Sequence, residues 1–173
     1  MNIGFFIILI LTFALILGPI SMLRPSPGQK RKEQLRLYAS KQGLRFSMRR
    51  LPVLKTDTNQ SAPIPVYYLP PPKMNEVPEW ILMRTHYEHE GNFYQEWDWQ
   101  TEARPTDAAC ELLKIYLPQI PESVPAISFG NLGMCVFWLE KEGQETLEML
   151  IEMLTRLNQL EGQQTECPQA SRL

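Results

Sequence analysis

The sequence predicts an α+β fold: an N-terminal transmembrane helix followed by an antiparallel sheet packed with two or three helices. Three observations carry this expectation. Met1 to Leu23 contain no charged residue. Downstream, β-prone runs come in pairs around glycine-containing turns. Helical stripes lie between and after those pairs without regular alternation, which favours an antiparallel sheet over a βαβ succession.

The first element is the apolar run Ile3 to Gly18, continued by Pro19-Ile-Ser-Met-Leu23. About 20 residues at a rise of about 1.5 Å match a hydrocarbon core of about 30 Å. A cleaved signal peptide would need a basic n-region and small residues at a cleavage point. Met-Asn and Pro19-Ile20-Ser21 supply neither, so residues 1–23 are expected to be a retained anchor.

Charge is divided along the chain. The formal net charge is −2, yet residues 1–50 hold nine Lys and Arg against Glu33 alone, and residues 51–173 hold eight basics against eighteen acids. The candidate lipid-facing basic residues are Arg24, Lys30, Arg31, Lys32 and Arg36, with Lys41 beyond them. They lie only downstream of the anchor. The positive-inside rule then places the body in the cytoplasm of a single-pass inner-membrane protein. An acidic body argues against nucleic acid as a partner.

Residues 24–43 read as a basic juxtamembrane helix. Ser26 is its cap, Pro27 occupies its first turn and Gly43 ends it. Leu35, Tyr38 and Ala39 share one face. The cations suit either a helix lying on anionic lipid or a solvated stalk.

The soluble domain is expected over residues 44–162. Leu44 to Met48 alternates as a strand. Residues 55–63 form an exposed loop, Ile64 to Leu69 a second strand, and Pro70-Pro71-Pro72 a rigid connection. Glu79 to Glu88 and Phe93 to Gln100 flank Gly91-Asn92 as a hairpin. Thr106 or Asp107 caps a helix running to Leu117 before Pro118. Val124 to Phe129 and Met134 to Glu140 form another hairpin around Gly130-Asn-Leu-Gly133. Met134 to Leu139 is apolar on both faces, as a central strand would be. The last helix, Gln144 to Leu160, aligns Leu147, Leu150, Ile151, Leu154 and Leu157, and Gly162 closes it. Residues 163–173 are expected to be a disordered tail.

Chemistry-bearing candidates are few. His86, Glu88 and Glu90 alternate on one strand face and could present hard ligands, whereas His89 falls on the other. Glu96 and Asp98 share a face, and a like-charge pair can raise one pKa for acid catalysis. No nucleophile or oxyanion motif accompanies them, so solvated surface acids are the simpler reading. Trp80, Trp97, Trp99 and Trp138 suit a core better than an interface. Cys110, Cys135 and Cys167 are odd in number and widely spaced, without a metal or disulfide pattern. Phosphate-loop, dinucleotide, nucleophile-elbow and zincin motifs are missing. No catalytic, cofactor-binding or metal-ligating residue is therefore assigned.

The segment Ser21-Met-Leu-Arg-Pro-Ser-Pro-Gly-Gln-Lys-Arg-Lys-Glu-Gln-Leu35 resembles the juxtamembrane segment of the YajC family, small accessory subunits of the bacterial Sec translocase. That resemblance implies an N-terminal span and a basic helix in a bacterial inner membrane. The family's soluble part is much shorter and lacks this hairpin and helix pattern. The overall layout also resembles uncharacterised single-pass proteobacterial inner-membrane proteins. Together these readings lead to the expectation of a membrane-anchored, non-enzymatic interaction or scaffold domain. Its partners would be membrane lipid and a protein in the same membrane, with no cofactor and no small-molecule substrate. An accessory role in protein translocation is the alternative, and an enzyme with an unrecognised site comes third.

Overall fold

The elements run α1 (Ile3–Met22), α2 (Pro27–Lys41), β1 (Arg45–Arg49), β2 (Ile64–Leu69), β3 (Trp80–Arg84), β4 (Trp97–Trp99), α3 (Asp107–Tyr116), β5 (Ala126–Gly130), β6 (Gly133–Phe137) and α4 (Gln144–Gln164). A 3-10 turn, Leu117–Gln119, follows α3. The computed structural model describes residues 3–22, 26–52, 62–71, 78–85 and 90–164. The expected loop 55–63 and tail 163–173 fall largely outside the described residues. The chain divides into two units, Met1–Gln34 and Leu35–Leu173, so the division falls inside α2.

In the first unit, α1 is a 20-residue helix over the stretch expected to be the anchor. Its apolar side chains are exposed all round, with Ile3 at 78% and Leu15 at 72%. Among the described residues no helix is long and apolar enough to cross a membrane. The described side chains of α1 cover residues 3–15 and 17, about 20 Å of helix axis. The start of α2 is a capping box. Ser26 Oγ accepts from the Gln29 N–H at 3.2 Å, and Gln29 Oε1 accepts from the Ser26 N–H at 2.9 Å.

Among the described residues of the second unit, six strands form one antiparallel sheet in the order β1-β2-β6-β5-β3-β4. This bears out the α+β expectation. The apolar run expected to be central is β6, which is buried along its whole length between β2 and β5. Its alternate residues face two different cores, as a period of two requires. Met134 and Val136 join Tyr67, Trp80, Leu82, Trp97 and Ile127 beneath Leu35 and Ala39 of α2, Leu113 of α3 and Leu147, Leu150, Met153, Leu154 and Leu157 of α4. Cys135 and Phe137 join Leu51, Val66, Met83 and Ala126 on the opposite face. Three of the four tryptophans are buried and Trp99 is packed against the helix-side core, so they serve the core as expected.

Local chemistry fixes the ends of the elements. The close of α2 is a Schellman motif: the Leu44 N–H donates to Ala39 and the Gly43 N–H to Ser40, each at 3.1 Å. Thr106 caps α3 through its side chain, which accepts from the Ala109 N–H at 3.0 Å. The β5–β6 hairpin pairs Gly130 with Gly133. Gly133 has φ +89°, and a Cβ there would overlap the Leu69 carbonyl oxygen. Only glycine lets β6 begin that close to β2.

Two expectations change. The strand expected over Phe93 to Gln100 narrows to β4. Tyr94 and Trp97 exchange backbone hydrogen bonds (3.2 and 2.9 Å), and Gln95 adopts φ 49°. The Asn92 side-chain amide donates to the Gln95 carbonyl at 2.7 Å and holds this turn against extension. At the other end of the chain, α4 does not stop at Gly162 but continues to Gln164. Its last turn is held by buried Glu161, whose carboxylate accepts from the Thr106 N–H at 3.1 Å.

Candidate functional site

Two polar clusters interrupt the apolar body. The first centres on Glu140, which follows the apolar run of β6. Its side chain is 0% exposed, and its backbone sits at φ 57°. A left-handed conformation costs a non-glycine residue on the order of 1 kcal/mol. Arg36 of α2 answers this carboxylate with two donors, Nε to Oε1 at 2.7 Å and Nη2 to Oε2 at 2.8 Å. Tyr67 of β2 donates a third hydrogen bond to Oε1 at 2.7 Å. The Arg36 guanidinium also lies 4.1 Å over the Phe46 ring of β1, and Phe46 meets Tyr67 edge-on at 5.5 Å. The result is a clamp joining α2, β1, β2 and the end of β6. The hydrogen bond from Arg36 raises that side chain's pKa further above its ordinary value. Burial, then the hydrogen bond to Glu140, pushes the Tyr67 hydroxyl well above the usual tyrosine range.

Nearby, Glu142 accepts from Trp138 Nε1 at 2.8 Å and from the Ser123 hydroxyl. Burial alone would raise its pKa, but the hydrogen bonds from Ser123 and Trp138 together outweigh it and lower the value. Tyr38 of α2 donates to Glu148 of α4 at 2.9 Å. These contacts fasten the second half of α2 to the body.

The second cluster lines a recess of about 390 Å³ formed by Arg84, Thr85, Glu96, Glu122 and Pro125. Arg84 ends β3. Its guanidinium pairs with the Glu96 carboxylate, donates to the carbonyls of Ile120 (2.9 Å) and Pro121 (3.2 Å), and lies 4.8 Å over the Trp97 ring. Arg84 Nε is buried without a hydrogen-bond partner. The Thr85 N–H and hydroxyl both donate to the Glu96 carbonyl, at 2.6 and 2.7 Å. Glu96 is thus bound to a cation.

The residues singled out from sequence are dispersed. Glu96 and Asp98 do not converge: the Asp98 carboxylate accepts its neighbour's N–H, that of Trp99, at 2.7 Å. The turn at Gln95 leaves Glu96 outside the β4 ladder, so the alternation that would pair the two acids never starts. His86, Glu88 and His89 lie outside the described residues, and Glu90 is exposed. Among the described residues no group of three or more His, Cys, Asp or Glu could hold a metal ion. Burial pushes the Cys135 thiol up to about 11 and raises that of Cys110, which disfavours the nucleophilic thiolate at both. Cys167 is outside the described residues.

Of the basic set, Lys30, Arg31 and Lys32 are exposed and Arg24 is outside the described residues. Arg36 is turned onto Glu140 and is 37% exposed. Sequence reasoning missed Glu140, Tyr67 and Arg84. The available signal was an acid or a base closing an apolar strand, because a charge there must find a partner. Searches of the chain against protein-family models, curated proteins and solved structures each found no match.

Proposed function

We propose that the chain is a membrane-anchored, non-enzymatic protein-interaction or scaffold domain at the bacterial inner membrane, with its body in the cytoplasm. The observation that carries this reading is α1. It is a 20-residue helix of uncharged residues, and its apolar side chains over residues 3–15 and 17 are exposed. A helix apolar all round needs a bilayer or a protein interior to cover it. In the sequence, the uncharged stretch of residues 1–23 matches the span of a bilayer core at a rise of about 1.5 Å per residue. The cations downstream favour a cytoplasmic body. Anchoring concentrates the body with partners in the same membrane, so a modest interface suffices. The non-enzymatic reading is supported by the pairing of both cluster arginines with carboxylates, Arg36 with Glu140 and Arg84 with Glu96.

The test has two parts. Membranes washed with alkaline carbonate should retain the full chain, and a reporter fused after Leu173 should be active in the cytoplasm. Release by carbonate, or a reporter active in the periplasm, overturns the reading. The resemblance of Ser21–Leu35 to the YajC segment supports a second reading, an accessory subunit of protein translocation. Co-purification with a Sec channel in mild detergent would favour it.

A further inference from the structure

We infer that the outer edge of β1 is a β-strand docking site for an acidic, extended segment of a partner protein. This names the partner chemistry of the interaction domain proposed above and rests on that reading.

Among the described residues β1 is the terminal strand of the sheet. Its register pairs Met48 with Pro65 and Phe46 with Tyr67. The Pro65 carbonyl accepts from the Trp138 N–H at 3.0 Å on the β6 side. In an antiparallel sheet a residue's N–H and C=O point to the same side, so Met48–Pro65 is a non-hydrogen-bonded pair. The N–H and C=O of Met48 therefore point away from β2, and alternation directs those of Phe46 the same way. Two residues thus offer four backbone groups to an added strand, the requirement for β-augmentation.

The side chains select the occupant. Phe46 and Met48 are exposed at 37% and 50% and offer apolar contact on one face. Arg45 and Arg49 occupy the other face, opposite Tyr68 and Ile64. A second copy is disfavoured. The antiparallel self-pairing that uses both Phe46 and Met48 sets Arg45 of each strand against Arg49 of the other, and like charges directly opposite are destabilising. Carboxylates at those positions would instead meet two arginines. β4, at the far edge, is three residues long and starts from a tight turn, features that discourage strand addition.

The test is amide hydrogen exchange of the full chain in detergent micelles, with and without the peptide acetyl-Glu-Val-Glu-Val-Glu-Val-Glu-amide. Saturating peptide should slow exchange at Phe46 and Met48 about ten-fold or more, leaving Ser47, already directed at β2, unchanged. Replacing Glu by Lys in the peptide should weaken binding about ten-fold or more, and R45E with R49E should reverse that preference. The proposal is overturned by absence of binding at millimolar peptide, by binding that leaves those two amides unaltered, or by equal binding of the lysine peptide. It also falls if Phe46 and Met48 are protected without peptide and lose protection on dilution, since the occupant is then a second copy. Carbonate extraction reports membrane attachment separately, so either reading can fail alone.

Discussion

Two arginine–carboxylate pairs of the body, Arg36–Glu140 and Arg84–Glu96, are mirror cases. In Arg36–Glu140 the acid is fully buried and the base is 37% exposed. In Arg84–Glu96 the base is 14% exposed and the acid 40%. Their backup differs too. Glu140 is also held across the sheet by the Tyr67 hydroxyl. Arg84 has two carbonyls and an aromatic face. The energetic consequence of breaking a pair depends on what the remaining charge can still reach. A carboxylate that is 0% exposed cannot replace its lost cation with water. A guanidinium left with two carbonyls is largely satisfied.

That contrast yields a ranked series. The largest effect is expected for Arg36→Met, which takes the cation from the buried Glu140 carboxylate and should cost about 3–5 kcal/mol in urea unfolding of the full chain. Glu140→Gln should cost less, about 1–3 kcal/mol, because Arg36 can turn towards water and the amide oxygen still accepts from Tyr67. Glu96→Gln should cost about 1 kcal/mol or less, since its own carboxylate is solvated and Arg84 keeps its carbonyls. If Glu96→Gln proved as damaging as Arg36→Met, the mirror argument would fail.

The smallest effect is a pH slope. Tyr67 has a folded pKa raised above its unfolded value, so its contribution is fully present below the ordinary tyrosine range near about 10 and is lost as pH rises through the folded value. Chemical unfolding midpoints measured from pH 9 upwards should fall in the native chain. In Tyr67→Phe that decline should be shallower, from a lower starting stability.

Much of the fold was legible because its signals are local. The Thr106 cap, the Gly130–Gly133 turn and the two-faced apolar run of β6 each encode their structure within a few residues. The α4 stripe was read with Ile151, which is half-buried, and without Met153, which is fully buried. The polar clusters were less legible because their partners are remote. Arg36 stands among lysines and arginines and reads as one more membrane-facing cation, yet its acid lies 104 residues further along. The boundary of β4 was misjudged for a smaller reason: alternation from Phe93 to Gln100 is as good as in a longer strand, but a side-chain amide two residues from Tyr94 favours the turn.

The placement of β2 beside β6 has a consequence for synthesis. Val66 pairs with Phe137, and Tyr67 needs Glu140. At about 5–20 residues per second, several seconds separate translation of the β1–β2 hairpin from that of its inner neighbour. Until then the nascent hairpin has no strand to dock on. Chains interrupted before β6 would present unpaired strands to chaperones and proteases, and the sheet can close only after β6 has been made.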